Sequence, residues 1–169
     1  MTRYPDNRVG GSGGGRGGFE RDRSGPNMAK SQPTRRMEGG LVSKEVLEQI
    51  ITDPQGTQVL VEKAREIGEH LAQLQLKRSQ IRAIFGEVRA IEADWKQGEK
   101  ARERARSRLI LLKPKLAYRA ARAGKGVESL RSVLEPAIDC IGEDDENFRR
   151  FVEFFEAILA YHRASGGTD

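Results

Sequence analysis

A run of basic residues has the clearest chemical capacity in this sequence. Residues 96–125 contain eleven lysines and arginines but only two acidic residues. At about 100° per residue of α-helix, five of these cations fall within a narrow arc on one side. They are Arg104, Arg108, Lys115, Arg119 and Arg122. Guanidinium and ammonium groups at fixed positions bind phosphate groups well, so this spacing predicts contact with a polyanion.

An apolar stripe borders the basic side of the same helix. Its members are Leu109, Leu112, Leu116, Ala120 and Ala123. Because the two stripes adjoin, the arginine stems can rest on the edge of the core, which fixes the position of their charged ends. Pro114 removes one helical hydrogen bond, and we expect it to bend or restart the helix before Leu116.

Five further cations are candidates for the same chemistry. Lys113 belongs to the main run, whereas Lys77, Arg78, Arg82 and Arg89 form a smaller group beside an earlier apolar stripe. Two simpler interpretations stay open. The charges can form an ordinary solvated helix face, although such faces usually mix signs. They can also pair with residues 126–169, which contain ten acidic and four basic residues, within the fold or in a neighbouring copy.

No set of residues suggests catalysis or metal binding. His70 and His162 have no cysteine or carboxylate at ligand spacing, and Cys140 has the surroundings of a small core residue. Residues 124–126 lack the spacing of a phosphate-binding glycine loop. The acidic residues 143–146 fit the start of a helix better than a carboxylate pair. We therefore expect no enzyme activity, no cofactor, no metal and no small-molecule substrate.

The apolar spacing is helical from Ser43 onward. Ser43 can begin a short helix, Asp53-Pro54 a long one, and Ser79 the next. Gly98 separates these helices from the basic helix, which should span about 99–123. Further helices should cover 127–141, where Pro136 is expected to kink or shorten the helix, and the segment after 143–146. This pattern predicts an all-α fold, a compact bundle of five or six helices.

The chain divides near residue 40. Ten of its nineteen glycines lie in residues 1–40, so we expect a disordered Gly/Arg-rich tail before a helical domain at 41–169. The tail resembles arginine–glycine RNA-binding segments, but a plain solvated linker is the favoured interpretation. No run of eighteen apolar residues predicts a membrane span, and the N-terminus has no apolar signal region. With a single cysteine, a cytoplasmic protein is expected.

Three segments resemble the small α-helical subunit of type III-A CRISPR effector complexes, in the Csm family. The most specific is residues 111–122, with the sequence LLKPKLAYRAAR. The other two are SQIR at 79–82, followed by Phe85 and Val88, and FVEFFEAILAYH at 151–162. The resemblance covers roughly residues 43–163 and leaves out the glycine-rich tail.

The resemblance implies a non-catalytic subunit that binds guide RNA and target RNA without sequence preference. Several copies would stack in the effector filament, beside the backbone subunits and the large polymerase-like subunit, in antiviral defense. The ten candidate cations would then be RNA-binding residues. The alternative is a helical scaffold whose basic helix docks an acidic partner protein. A small hydrolase or nuclease that uses the acidic residues 143–146 is a third, weaker hypothesis.

Overall fold

Residues 41–167 are described by the computed structural model, and they form six helices without a strand. The helices are α1 (Lys44–Thr52), α2 (Thr57–Gln73), α3 (Arg78–Trp95), α4 (Glu99–Ala123), α5 (Lys125–Ile141) and α6 (Asp145–Ala164). The predicted all-α class is confirmed. The expected disordered tail at residues 1–40 lies outside the described residues, so its prediction and that of the boundary at residue 40 stay predictions.

Helix α6 lies at the centre of the packing. It contacts α1, α2, α3 and α5. Its side chains Phe151, Phe154 and Phe155 are fully buried, because phenylalanines three and four positions apart share one broad apolar face. The ring of Phe155 meets that of Phe85 from α3 edge to face, with 5.2 Å between centroids. This contact anchors α3 to the central helix.

Helix α4 lies further out and packs on α3 and α5. Glycines flank it as predicted: Gly98 precedes it with φ 103°, and Gly124 follows it with φ 87°. Both angles fall in the left-handed region that glycine adopts without steric cost, which ends the neighbouring helices sharply. Helices α2 and α3 also bury an apolar stripe each, and Leu60, Ala64 and Ile67 are examples from α2.

Several helix starts differ from the sequence prediction. Helix α2 begins at Thr57 instead of Asp53-Pro54, because the Asp53 carboxylate accepts a hydrogen bond from the Gln55 amide (2.8 Å) and forms a separate turn. Helix α3 begins at Arg78, before the expected cap Ser79. The acidic start of α6 is confirmed, since the Asp144 carboxylate accepts bonds from the amides of Glu146 and Asn147.

Neither internal proline ends its helix. Helix α4 runs unbroken across Pro114, and α5 runs across Pro136. The predicted restart at Pro114 is therefore wrong. The carbonyl four residues earlier, which loses its hydrogen bond, belongs to Ile110, a residue 63% exposed to solvent. Water can donate a hydrogen bond to that carbonyl, which removes most of the energetic cost of continuing the helix.

A buried arginine joins α6 to the end of α1. The Arg150 guanidinium donates hydrogen bonds to the carbonyls of Ile50 (3.1 Å) and Pro54 (3.4 Å). Arg150 is only 7% exposed, although its sequence neighbour Arg149 is exposed and pairs with Glu146 and Glu153. The positive charge also suits the negative end of the α1 dipole.

We predict that Arg150→Met lowers the free energy of unfolding by roughly 2–3 kcal/mol, because the buried Ile50 carbonyl and the partly buried Pro54 carbonyl lose a charged donor. Arg149→Met removes the same charge from a solvated position and should change stability far less. Urea unfolding of the full chain followed by circular dichroism measures both. Equal effects of the two substitutions would contradict the role given to Arg150.

His162 is fully buried in the core. Its Nε2 lies 2.8 Å from the Leu76 carbonyl, to which Nε2–H donates. Burial lowers the pKa of His162, and the nearby Arg78 charge lowers it further, while the bond to Leu76 opposes both. The neutral ring is therefore the form that the fold accommodates.

This lowered pKa predicts a loss of stability in mild acid. The unfolded chain binds a proton at His162 from about pH 6.5, whereas the folded chain binds it only at lower pH. Stability should therefore fall as the pH drops from 7.5 to 5.5. His162→Gln retains an N–H donor without titrating, so its urea midpoint should change less over this range. An unaltered pH dependence in this variant would remove His162 as the cause.

Candidate nucleic-acid interface

One side of α4 is buried between α3 and α5. The buried residues are Ala101, Ala105, Leu109, Leu112, Leu116 and Ala120. Four members of the predicted apolar stripe are among them, but the fifth, Ala123, is exposed because it lies at the C-terminal end of α4, beyond the last buried turn. With this side fixed, the basic residues of α4 must point along the two flanks or outward.

The flank that faces α5 and the start of α6 is neutralised within the fold. Arg102 pairs with Asp145 (3.1 Å), and the Lys113 ammonium lies 2.7 Å from Asp139. Arg106 donates to the Glu143 carbonyl (2.5 Å) and covers the Trp95 ring. The interpretation that α4 pairs with the acidic C-terminal region is therefore correct for this flank. Lys113, a candidate RNA-binding residue, is turned toward α5 and away from most of the other candidates on α4.

The flank that faces α3 carries three of the predicted cations. Arg108 pairs with Asp94, while Lys115 (3.2 Å) and Arg119 both contact Glu87. One carboxylate thus serves two cations. The Lys115 side chain remains 60% exposed, so its pair with Glu87 is a surface ion pair that contributes about 1 kcal/mol or less, whereas the Arg119 pair is partly buried. An incoming phosphate can replace the carboxylate at little cost.

Arg104 and Arg122 complete the predicted stripe on α4. Arg104 is exposed and has no carboxylate partner among residues 41–167. Arg122 donates a hydrogen bond to the Tyr118 hydroxyl (2.6 Å), and its guanidinium lies over that ring, 5.6 Å from the centroid. Tyr118 therefore holds Arg122 in place without neutralising its charge.

The second predicted basic group lies on the other flank of α3. Arg78 and Arg82 line a cavity of about 190 Å³ together with Arg163 of α6. Arg89 pairs with Glu92 (2.5 Å) in a separate groove that α6 also lines, and Lys77 precedes the first turn of α3. The structure therefore does not combine the ten candidates into one surface but separates the α3 group from the α4 group.

The sequence reasoning missed the surface that accompanies the α4 cations. Ile110, Leu111 and Tyr118 are 63%, 56% and 63% exposed, respectively. Tyr118 and Arg119 line two adjoining grooves between α3 and α4, of about 480 and 530 Å³. The signal that could have revealed this surface is the helical spacing, which places Tyr118 outside the buried stripe.

The acidic residues 143–146 are engaged in structural contacts. Asp144 caps α6, and the Asp145 carboxylate accepts a bond from the Trp95 indole (2.8 Å) besides pairing with Arg102. In the described part of the chain, no three His, Cys, Asp or Glu residues are grouped to hold a metal ion. Burial raises the pKa of the Cys140 thiol, which makes the reactive thiolate scarcer. Among the six helices described, none has the length and apolar character to cross a membrane.

Comparison with known proteins gives one match. A family model described as Csm2 Type III-A matches residues 55–168. Neither the curated proteins nor the solved structures contain a significant match to the chain. The matched range includes α2 to α6 and hence all ten candidate cations. It confirms the resemblance drawn from the three sequence segments.

Proposed function

The chain belongs to the Csm2 type III-A family, whose members are a small subunit of the type III-A CRISPR complex, and from this membership we propose that it binds the RNA backbone in that complex. The RNA would be the guide and target strands of a cytoplasmic antiviral effector complex. The subunit would be non-catalytic and would contact the backbone subunits and the large polymerase-like subunit. Base pairing between the strands would supply sequence specificity.

One observation carries the RNA proposal: the cations on the α3-facing flank of α4. Arg108, Lys115, Arg119 and Arg122 extend over fourteen residues of one unbroken helix, which corresponds to about 21 Å. Each is positioned by a partner, either a half-exposed carboxylate or the Tyr118 ring. Cations at fixed intervals along a rigid rod suit a regular phosphate backbone, which carries no sequence information.

The proposal also includes the stacking of several copies of this chain, which is supported by exposed apolar residues and not by charge. The basic α4 and the acidic residues 126–169 suggested a head-to-tail contact. Asp139, Glu143 and Asp145, however, already contact α4 within one copy. The exposed Ile110 and Leu111 instead support an apolar contact between α4 and another chain. They also favour the second candidate function, a scaffold whose basic helix docks an acidic partner protein.

We predict that reversing three cations, Lys115→Glu, Arg119→Glu and Arg122→Glu, abolishes RNA binding while the helical circular dichroism signal persists. The log of the wild-type affinity should fall with log salt by about 0.7–0.9 per phosphate contact, so these three cations should contribute roughly two to three units of its slope. Titration of the full chain with labelled RNA at several salt concentrations measures this.

A matched control separates this effect from net charge. Reversal of Lys44, Lys63 and Arg65 changes the charge equally but lies on α1 and α2. The control should bind RNA nearly as the wild type does. Equal losses in both variants, or binding that survives in the first, would contradict the α4 site. A protein partner that is retained after nuclease treatment would favour the scaffold.

Glu87 provides a second prediction. Its carboxylate competes with phosphate for Lys115 and Arg119, so Glu87→Gln should tighten RNA binding roughly two- to fivefold, the factor expected for one surface ion pair. Glu69→Gln removes the same charge from an exposed position on α2 and should have little effect. Weaker binding by the Glu87 variant would show that the carboxylate is needed to order the two cations.

A further inference from the structure

One of the two grooves beside Tyr118 is not explained by backbone binding. The groove of about 480 Å³ between the start of α3 and the end of α4 is within the size range of small-ligand sites. Its lining residues are Ser79, Gln80, Ala83, Ile84, Tyr118, Arg119, Arg122, Ala123 and Val127. None of them is acidic, in contrast to the adjoining groove, which includes Glu87.

The two sides of this groove differ chemically. Ala83, Ile84 and Val127 supply apolar surface, whereas Arg119 and Arg122 supply positive charge. Besides its bond to Glu87, Arg119 has a buried Nη1 without a hydrogen-bond acceptor among the described residues. Buried polar groups are nearly always satisfied, so this nitrogen of a groove-lining residue would gain a partner if the Arg119 side chain turned toward a bound acceptor.

Tyr118 adds an aromatic surface at the mouth of the groove. The guanidinium of Arg122 holds the ring through a hydrogen bond and a cation–π contact, yet Tyr118 remains 63% exposed. A large exposed aromatic ring that a neighbouring arginine holds in place offers a flat apolar face to a partner. Nucleobases stack on such rings whatever their identity, because every base has a π face.

The adjoining surface of α3 gives room for a strand to approach. Ser79, Ala83, Gly86 and Ala90 are all exposed and lie four, three and four positions apart on one side of the helix. Their small side chains keep this ridge low beside the groove. A nucleic acid backbone that contacts Lys115 and Arg119 can therefore come close to α3 without a steric clash.

We propose that this groove receives one unpaired nucleotide of the bound RNA. The base stacks on Tyr118 and covers the apolar wall, and the adjoining phosphate accepts hydrogen bonds from Arg119 and Arg122. The inference rests on the proposed RNA binding and extends it: the subunit distinguishes an RNA with an extruded base from a fully paired one, without reading which base it is.

Two RNAs test this with the full chain. One is a paired duplex, and the other is the same duplex with a single unpaired 2-aminopurine nucleotide at its centre. The wild type should bind the second RNA roughly tenfold more tightly, the gain expected from one stacked base. The fluorescence of 2-aminopurine should change on binding because of stacking.

Substitutions at Tyr118 isolate the ring. Tyr118→Ala should lose the tenfold preference and the fluorescence change, while its affinity for the paired duplex should fall only by the small amount that a less ordered Arg122 costs. Tyr118→Phe should retain the preference, since stacking needs only the ring. Leu111→Ala truncates another exposed residue of α4 outside the groove and should bind both RNAs as the wild type does.

The outcomes distinguish a failure of this inference from a failure of the proposed RNA binding on which it rests. If the wild type binds both RNAs equally, or if Tyr118→Ala weakens both to the same extent, the nucleotide site is overturned and backbone binding stands. If Tyr118→Ala leaves both RNAs unaffected but removes a protein partner, the groove is a protein contact and the inference is wrong. If the wild type binds neither RNA, the proposed function and the inference both fail.

Discussion

The burial of the aromatic face of α6 is the constraint on which the rest of the structure depends. Because Phe151, Phe154 and Phe155 need apolar partners on several sides, α1, α2, α3 and α5 surround this helix. Helix α4 is the next layer and rests on α3 and α5. It buries one stripe only, so the cations of α4 must lie along its flanks and outer side. The position of the basic surface is thus a consequence of how the core closes.

This arrangement separates the cations of one basic helix into two groups. Lys113 and Lys115 are two residues apart, and about 200° of helical rotation sends them to opposite flanks. Lys113 joins α4 to α5 through Asp139, whereas Lys115 shares Glu87 with Arg119. The net charge of the segment does not distinguish these roles. Only the packing shows which cations hold the fold together and which remain available to a ligand.

The sequence was sufficient for what local periodicity encodes and insufficient for what long-range contacts decide. Spacing predicted the helices, most of the buried stripe of α4 and the bounds of that helix at Gly98 and Gly124. The prediction from spacing failed at Asp53, whose carboxylate forms a turn. It also failed at Pro114, because the unbonded carbonyl belongs to the exposed residue Ile110. The burial of Arg150 depends on a carbonyl one hundred residues away, which no local pattern contains. The separation of the α3 cations from the α4 cations likewise depends on which neighbour each flank of α3 meets.

The ion pairs on α4 order the cations in the free protein, which offsets part of the cost of their competition with phosphate. Unpaired arginines sample many rotamers, and ordering them on binding costs about 0.5–1.5 kcal/mol for each side chain. Glu87 and the Tyr118 ring already restrict Arg119, Lys115 and Arg122 in the free protein. Since one carboxylate lies between two cations, the cluster keeps a net positive charge while its geometry is set. A phosphate then finds cations that are already ordered and has only a weak surface pair to replace, so preorganisation and residual charge both come from the same contacts.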